Sequence, residues 1–300
     1  MRLIRLAILL FIIVIAQSAG ADVQWRVTRT KHFIIYYSAG AESVAQKSGT
    51  LAEKWHGILS QKMKFTPGGV TPIYLYPDRP SFSEATGVGL RERIVGIAHT
   101  RTLVIRVDAS GAYTDAATVI PHELVHVFIS RRLGEFSARM PLWVHEGLAK
   151  YLAQDWSLDD AELLADAVSG GETLPLDKLV KTFPADERKR SIAYVQSRSA
   201  VEYIAKTYGG DSIPDLLDEF ARGRLYPQAL FNSIGVEPRK FEDQWQQSLW
   251  EKYKLGRWIK LGTAGVSAVM AFLAVLAFRA RIHQKRRKAQ EMEDESRIEE

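Results

Sequence analysis

The segment VIPHELVHVF, residues 119–128, sets two histidines and a glutamate within five positions of an otherwise apolar stretch. On a helix, His122 and His126 stand one turn apart on one face. Their imidazoles can therefore reach a single cation at about 2.0–2.1 Å. Glu123 is rotated by about 100° from His122, too far to serve easily as a third ligand, but placed to reach a water on the metal. Val119, Leu124, Val125, Phe128 and Ile129 make the surroundings apolar, so the polar groups need partners. Read by itself, the segment also fits a core helix whose two histidines are satisfied by backbone. Thr114 or Thr118 is placed to cap the helix, and the cations and glycine of RRLG suit its end. Pro121 belongs either in a first turn, where its missing N–H costs nothing, or at a kink in a longer helix.

A second segment, PLWVHEGLAKYLA at 141–153, opens with a proline and continues with helical apolar spacing. Glu146 follows His126 by 20 positions, so a helix, a turn through GEFSARM and a second helix return its carboxylate toward the histidines. Two histidines and one glutamate leave a fourth position for water, which is the layout of a catalytic zinc site. Gly147 and Ala149 permit close helix packing.

Outward from these segments the chain reads as α+β. Upstream, VQWRVTRTKHFIIYYS predicts strands, AESVAQKSGTLAEKWHGILSQKM a helix, and TPIYLYP and RTLVIRV further strands. DRPSFSEATGVGL between those two strands reads as a loop rich in Pro and Gly. From Thr114 the pattern turns helical. Residues 22–112 are thus a mixed α/β N-terminal subdomain, and residues 113–256 a helical subdomain. His32, His56 and His99 fall on strand, helix and loop without ligand spacing.

Neither terminus reads as globular. Residues 1–21 carry arginines at 2 and 5, an apolar run and the small-x-small end Ala19-Gly20-Ala21, which predicts a signal peptide; the same run also fits an uncleaved anchor. Residues 261–278 contain no charge, and 18 residues at 1.5 Å rise span about 27 Å, near a bilayer's hydrocarbon thickness. Trp258 and Lys260 suit one interface. RARIHQKRRK beyond the run holds six cations and no acid, which predicts a transmembrane helix at 257–279 and a cytoplasmic tail at 280–300. That basic block is explained by topology and anionic lipid rather than nucleic acid, and it carries much of the net charge of +5. With no cysteine in the chain, disulfides, thiolate ligands and cysteine nucleophiles are excluded. An exported chain without disulfides suits a bacterial membrane protein with its folded part outside the cytoplasm.

HELVH paired with WVHEGLAKY resembles the gluzincin metallopeptidases, zinc peptidases whose third ligand is a glutamate on the helix after HExxH. The likeness extends to the small bacterial peptidase-MA-like domains through HFIIYYSAG, PIYLYPD and AYVQSRSAVEYIAKTYGG, covering about residues 25–250. The resemblance implies a zincin-like fold, Zn2+ held by His122, His126 and Glu146, Glu123 as general base, and a peptide or protein substrate that pairs with RTLVIRV as the substrate-edge strand of residues 22–112. It also makes Tyr194 the candidate oxyanion donor, although a core tyrosine fits the same position. Two departures stand out. No G-x-M-E-N motif for a substrate amino terminus precedes HELVH, and Lys150 stands where the thermolysin-like branch has an acid that orients a histidine. Asp155 is the candidate substitute for that acid, and His145, beside Glu146, is not counted as a ligand. Two rival readings remain, an inactive zincin-fold sensor tethered to the membrane and an envelope protein with a coincidental HExxH. The sequence does not specify an oligomeric state.

Overall fold

The computed structural model describes residues 23–111, 116–254, 270–276, 278–279 and 281. The expected signal peptide lies outside these residues, as do Thr114 and most of the expected transmembrane helix and tail. Among the described residues, no helix is long and apolar enough to cross a membrane. The chain groups into two compact units, residues 1–134 and 135–300.

The first unit is built on a five-stranded mixed sheet. Its strands are β1 (Arg26–Arg29), β2 (Phe33–Tyr37), β3 (Thr71–Tyr76), β4 (Gly96–His99) and β5 (Val104–Asp108), in the order β1-β2-β3-β5-β4. β2, β3 and β5 run parallel, and β1 and β4 are antiparallel flanks. The helices α1 (Glu42–Lys62) and α3 (Ala116–Leu133) pack against each other, α1 against β2 and α3 against β4 and β5. Period-two alternation turns Ile73 and Leu75 inward and leaves Tyr74 between them on the other face. There Tyr74 stacks on its β2 partner Tyr36 at 4.3 Å, with Trp25 edge-on at 5.2 Å.

Three expectations for the sheet and its connections are corrected. DRPSFSEATGVGL is not all loop, because α2 (Arg79–Thr86) occupies its first part. Asp78 caps that helix by accepting the Ser81 N–H at 2.8 Å, Pro80 sits in its first turn, and Gly87 at φ 75° ends it. The sheet's edges are β1 and β4, and RTLVIRV is neither, because its β5 lies between β3 and β4; His99, expected in a loop, ends β4. With four residues, none of them fully buried, β4 is too short to show a strand's alternation.

In α3, residues 119–130 are buried except for His122, which is half-buried. A helix apolar on every side belongs in a core. Thr118 is its third residue rather than its cap, and Pro121 lies inside it, so the helix runs longer than one starting at that proline. Its last turn is tied down by cations. Arg131 donates to the carbonyls of Gly68, Gly69 and Val70 and to Thr71 Oγ1, and Arg132 donates to the Met63 carbonyl.

The second unit is helical: α4 (Leu142–Leu152), α5 (Leu158–Gly170), α6 (Glu187–Thr207), α7 (Ser212–Ala221), α8 (Tyr226–Ile234) and α9 (residues 238–254), with 3-10 turns at Gly134–Arg139 and Leu176–Leu179. α4 packs along α6. Trp143 of α4 and Trp245 of α9 are fully buried, and Trp143 stacks against Phe241 at 6.3 Å. Residues 270–276 are helical and present Met270, Phe272, Leu273, Val275 and Leu276 exposed.

Candidate metal centre

The histidine pair forms as helix geometry requires. The rings of His122 and His126 lie 5.0 Å apart at 73°, one turn from each other. His126 is buried, and the Ser130 hydroxyl donates to its carbonyl at 2.8 Å, a bond between residues four apart in the same helix. Glu123 is buried too, with β4 directly behind it. A Cβ built on Gly96 would stand 2.2 Å from Val119 Cγ1 and 2.8 Å from Glu123 Oε1. Any larger residue at 96 would push the carboxylate or the strand aside. The sequence reading did not single out Gly96, although an isolated glycine before a short apolar run is a signal of close backbone approach.

Glu146 is half-buried on α4, and the residue after it explains why the motif reads Glu-Gly. A Cβ on Gly147 would lie 2.5 Å from the Ser197 carbonyl oxygen, so α4 can lie this close to α6 only where the side chain is absent. Lys150, one turn further, is paired with Asp155 at 3.1 Å and Asp160 at 3.4 Å. Asp155, the candidate acid for orienting a zinc histidine, therefore also pairs with a lysine. Tyr194, half-buried on α6, meets Phe183 edge-on at 4.9 Å.

One ligand atom each from His122, His126 and Glu146 lies within 4.8 Å of the other two. Among the described residues, no other group of three or more such side chains meets that spacing, and His145, Asp155 and the remaining histidines stand outside it.

A family model for the Peptidase MA superfamily matches residues 67–251, which include both zinc-type motifs. The chain belongs to the Peptidase MA superfamily. The uncharacterized protein YhcO of Bacillus subtilis (strain 168) is similar to this superfamily member, 23% identical over 202 residues, covering 63% of this chain and 60% of the relative. The M1 zinc metallopeptidase from Deinococcus radiodurans aligns with a TM-score of 0.46 and 16% identity, over 75% of this chain and 50% of that one. A mutant of it bound to a Tyr-Ser-Ala substrate aligns with a TM-score of 0.45 and 17% identity, over 76% and 50%. The chain therefore spans about half the length of those structures and 60% of YhcO.

Proposed function

We propose that this chain is a membrane-anchored zinc metallopeptidase of the gluzincin type, with its catalytic part outside the cytoplasm, that hydrolyses peptide bonds. The convergence of His122, His126 and Glu146 carries the reading. Its donor set of two imidazoles and one carboxylate is that of catalytic zinc. Ligand atoms about 3.3 Å apart, the edge of a tetrahedron with bonds of roughly 2.0–2.1 Å, fall inside the 4.8 Å bound of this cluster. The residues present fit the ion. When bound, zinc lowers the pKa of a water toward about 7 and polarises the scissile carbonyl.

Glu123 has the general base's part. It accepts the proton of the attacking water and delivers it to the leaving amine. Tyr194 donates its hydroxyl to the developing oxyanion, a contribution of about 3–4 kcal/mol for donors of this type. The substrate lies extended along the open edge of β4, pairing with it as an added strand. Attachment to the bilayer falls to residues 257–279, and the exposed apolar side chains of the helical stretch 270–276 are suited to lipid.

The test is metal analysis and peptide digestion with the full-length chain and its Glu123→Gln variant. Bound zinc in both, with hydrolysis lost in the variant, supports the reading. Hydrolysis undiminished by Glu123→Gln overturns the mechanism, and zinc binding with no hydrolysis in either chain favours a binding or sensor domain.

A further inference from the structure

We infer that Arg79 is a positioning residue for this reaction, its guanidinium locking the 89–94 loop and thereby setting the start of β4 against Glu123. The inference rests on the peptidase reading of the site.

Arg79 is the first residue of α2, and the Asp78 cap fixes where its side chain departs. It is buried, which for an arginine calls for partners, and both of its terminal nitrogens have them. One terminal nitrogen donates to the Gly89 carbonyl at 3.0 Å and to the Glu92 carbonyl. The other donates to the Ile94 carbonyl and to Asp108 Oδ2 at 3.3 Å, and the guanidinium lies 5.2 Å from the Phe82 ring. Three of these acceptors belong to one six-residue loop. A loop lacks a ladder to pair its carbonyls, so the planar fork of an arginine supplies what a strand neighbour would.

The second anchor is Asp108, also buried. Its own N–H donates to the Val95 carbonyl at 2.9 Å, and its Oδ1 accepts from Ser110 N–H at 3.1 Å. The carbonyls of residues 94 and 95 are therefore both held, and residue 96 is the glycine whose missing Cβ makes room for Glu123 and Val119. One residue, Val95, separates the carbonyl of Ile94 that the arginine holds from the glycine beside Glu123. A buried Arg–Asp pair can also serve stability alone. The choice of carbonyls argues for more, since all three precede β4, whose Gly96 abuts Glu123.

The experiment compares Arg79→Lys with wild type in the full-length chain, and Asp108→Asn where the lysine variant does not fold. Trypsin cleavage after Arg91 and Arg93, both exposed, reports the loop without reference to activity. Cleavage is expected to quicken tenfold or more, and kcat to fall by roughly 10- to 100-fold with zinc content unchanged, as for a displaced catalytic group. A purely structural arginine would lower Tm and leave kcat per folded molecule intact. Unchanged trypsin protection overturns the inference, as does a loosened loop with wild-type kcat and KM. A wild-type chain that binds zinc and hydrolyses nothing sinks the peptidase reading instead, and trypsin protection then judges the Arg79 lock by itself.

Discussion

Substituting Gly147 by alanine should destabilise the protein, although alanine is the better helix former. The helix preference favours the variant by about 1 kcal/mol, because Gly147 lies inside α4. Against it stands a new methyl group 2.5 Å from the Ser197 carbonyl oxygen and 2.8 Å from the Ser197 carbonyl carbon. Those are backbone atoms, which cannot swing aside as a flexible side chain would. Relief therefore requires α4 to move from α6, and overpacking of this kind costs about 1–3 kcal/mol. With the clash at the upper end, the net loss is about 2 kcal/mol, which lowers a urea midpoint by roughly 1 M for a protein of ordinary m-value. Gly57 is the internal control. It lies in α1, exposed, with nothing within 4 Å of an added Cβ, so Gly57→Ala should stabilise by about 0.5–1 kcal/mol. Urea unfolding of both variants measures the two signs. A shift of α4 also displaces Glu146, so zinc affinity should weaken in Gly147→Ala and not in Gly57→Ala. Equal shifts in stability from the two substitutions would refute the packing argument, because helix propensity alone treats them alike.

Removing zinc should lower stability, by about 2.7 kcal/mol relative to a solution holding a hundred times the dissociation constant; thermal unfolding with and without chelator checks this, and Glu146→Gln should shrink the difference. Gly96→Ala should lower kcat by roughly 10- to 100-fold through displaced Glu123, since the added methyl group would stand 2.8 Å from that carboxylate; kcat measured against bound zinc separates this from metal loss. Acid should loosen the first unit through His56, which stacks on His32 at 3.9 Å and whose pKa is held below its ordinary 6.5 by burial and then by His32. The unfolded chain takes up that proton first, so stability falls as pH drops below about 6.5, and continues to fall until the folded pKa is reached. Glu53, whose pKa is lowered by hydrogen bonds and charge from His32 that outweigh its burial, adds a separate loss only below 4.5. Urea midpoints between pH 7 and 5 should slope for wild type and flatten for His56→Phe, and equal slopes would remove His56 as the cause.

Much of the site was legible because its spacing is local. His122 and His126 are four apart on an apolar helix, and that suffices to place both rings on one face. The step to Glu146 could be anticipated because a helix, a short turn and a helix reverse direction. The helix α2 was missed within a stretch dominated by its proline and glycines, yet Asp78, Pro80 and Gly87 are cap signals at each end. β4 was missed for a different reason. With four residues, none of them fully buried, it offers no alternation, and its identity comes from pairing with β5. Arg79 and Gly96 were unremarkable as letters, because what they do is defined by backbone carbonyls and by a side chain 27 positions away in the case of Gly96.

The order of amino acids alone determined which residues share a helix face, where apolar surface must be covered, and that two imidazoles stand one turn apart on one side of a helix. Such properties follow from the fixed rise and turn of a single element. Tertiary structure decided which strand lies at the sheet edge, which glycine backs Glu123, and which arginine gathers the loop before it. Those depend on close approach between segments distant in the chain, where a missing Cβ or an unpaired carbonyl acquires meaning only from the neighbour that folding brings to it.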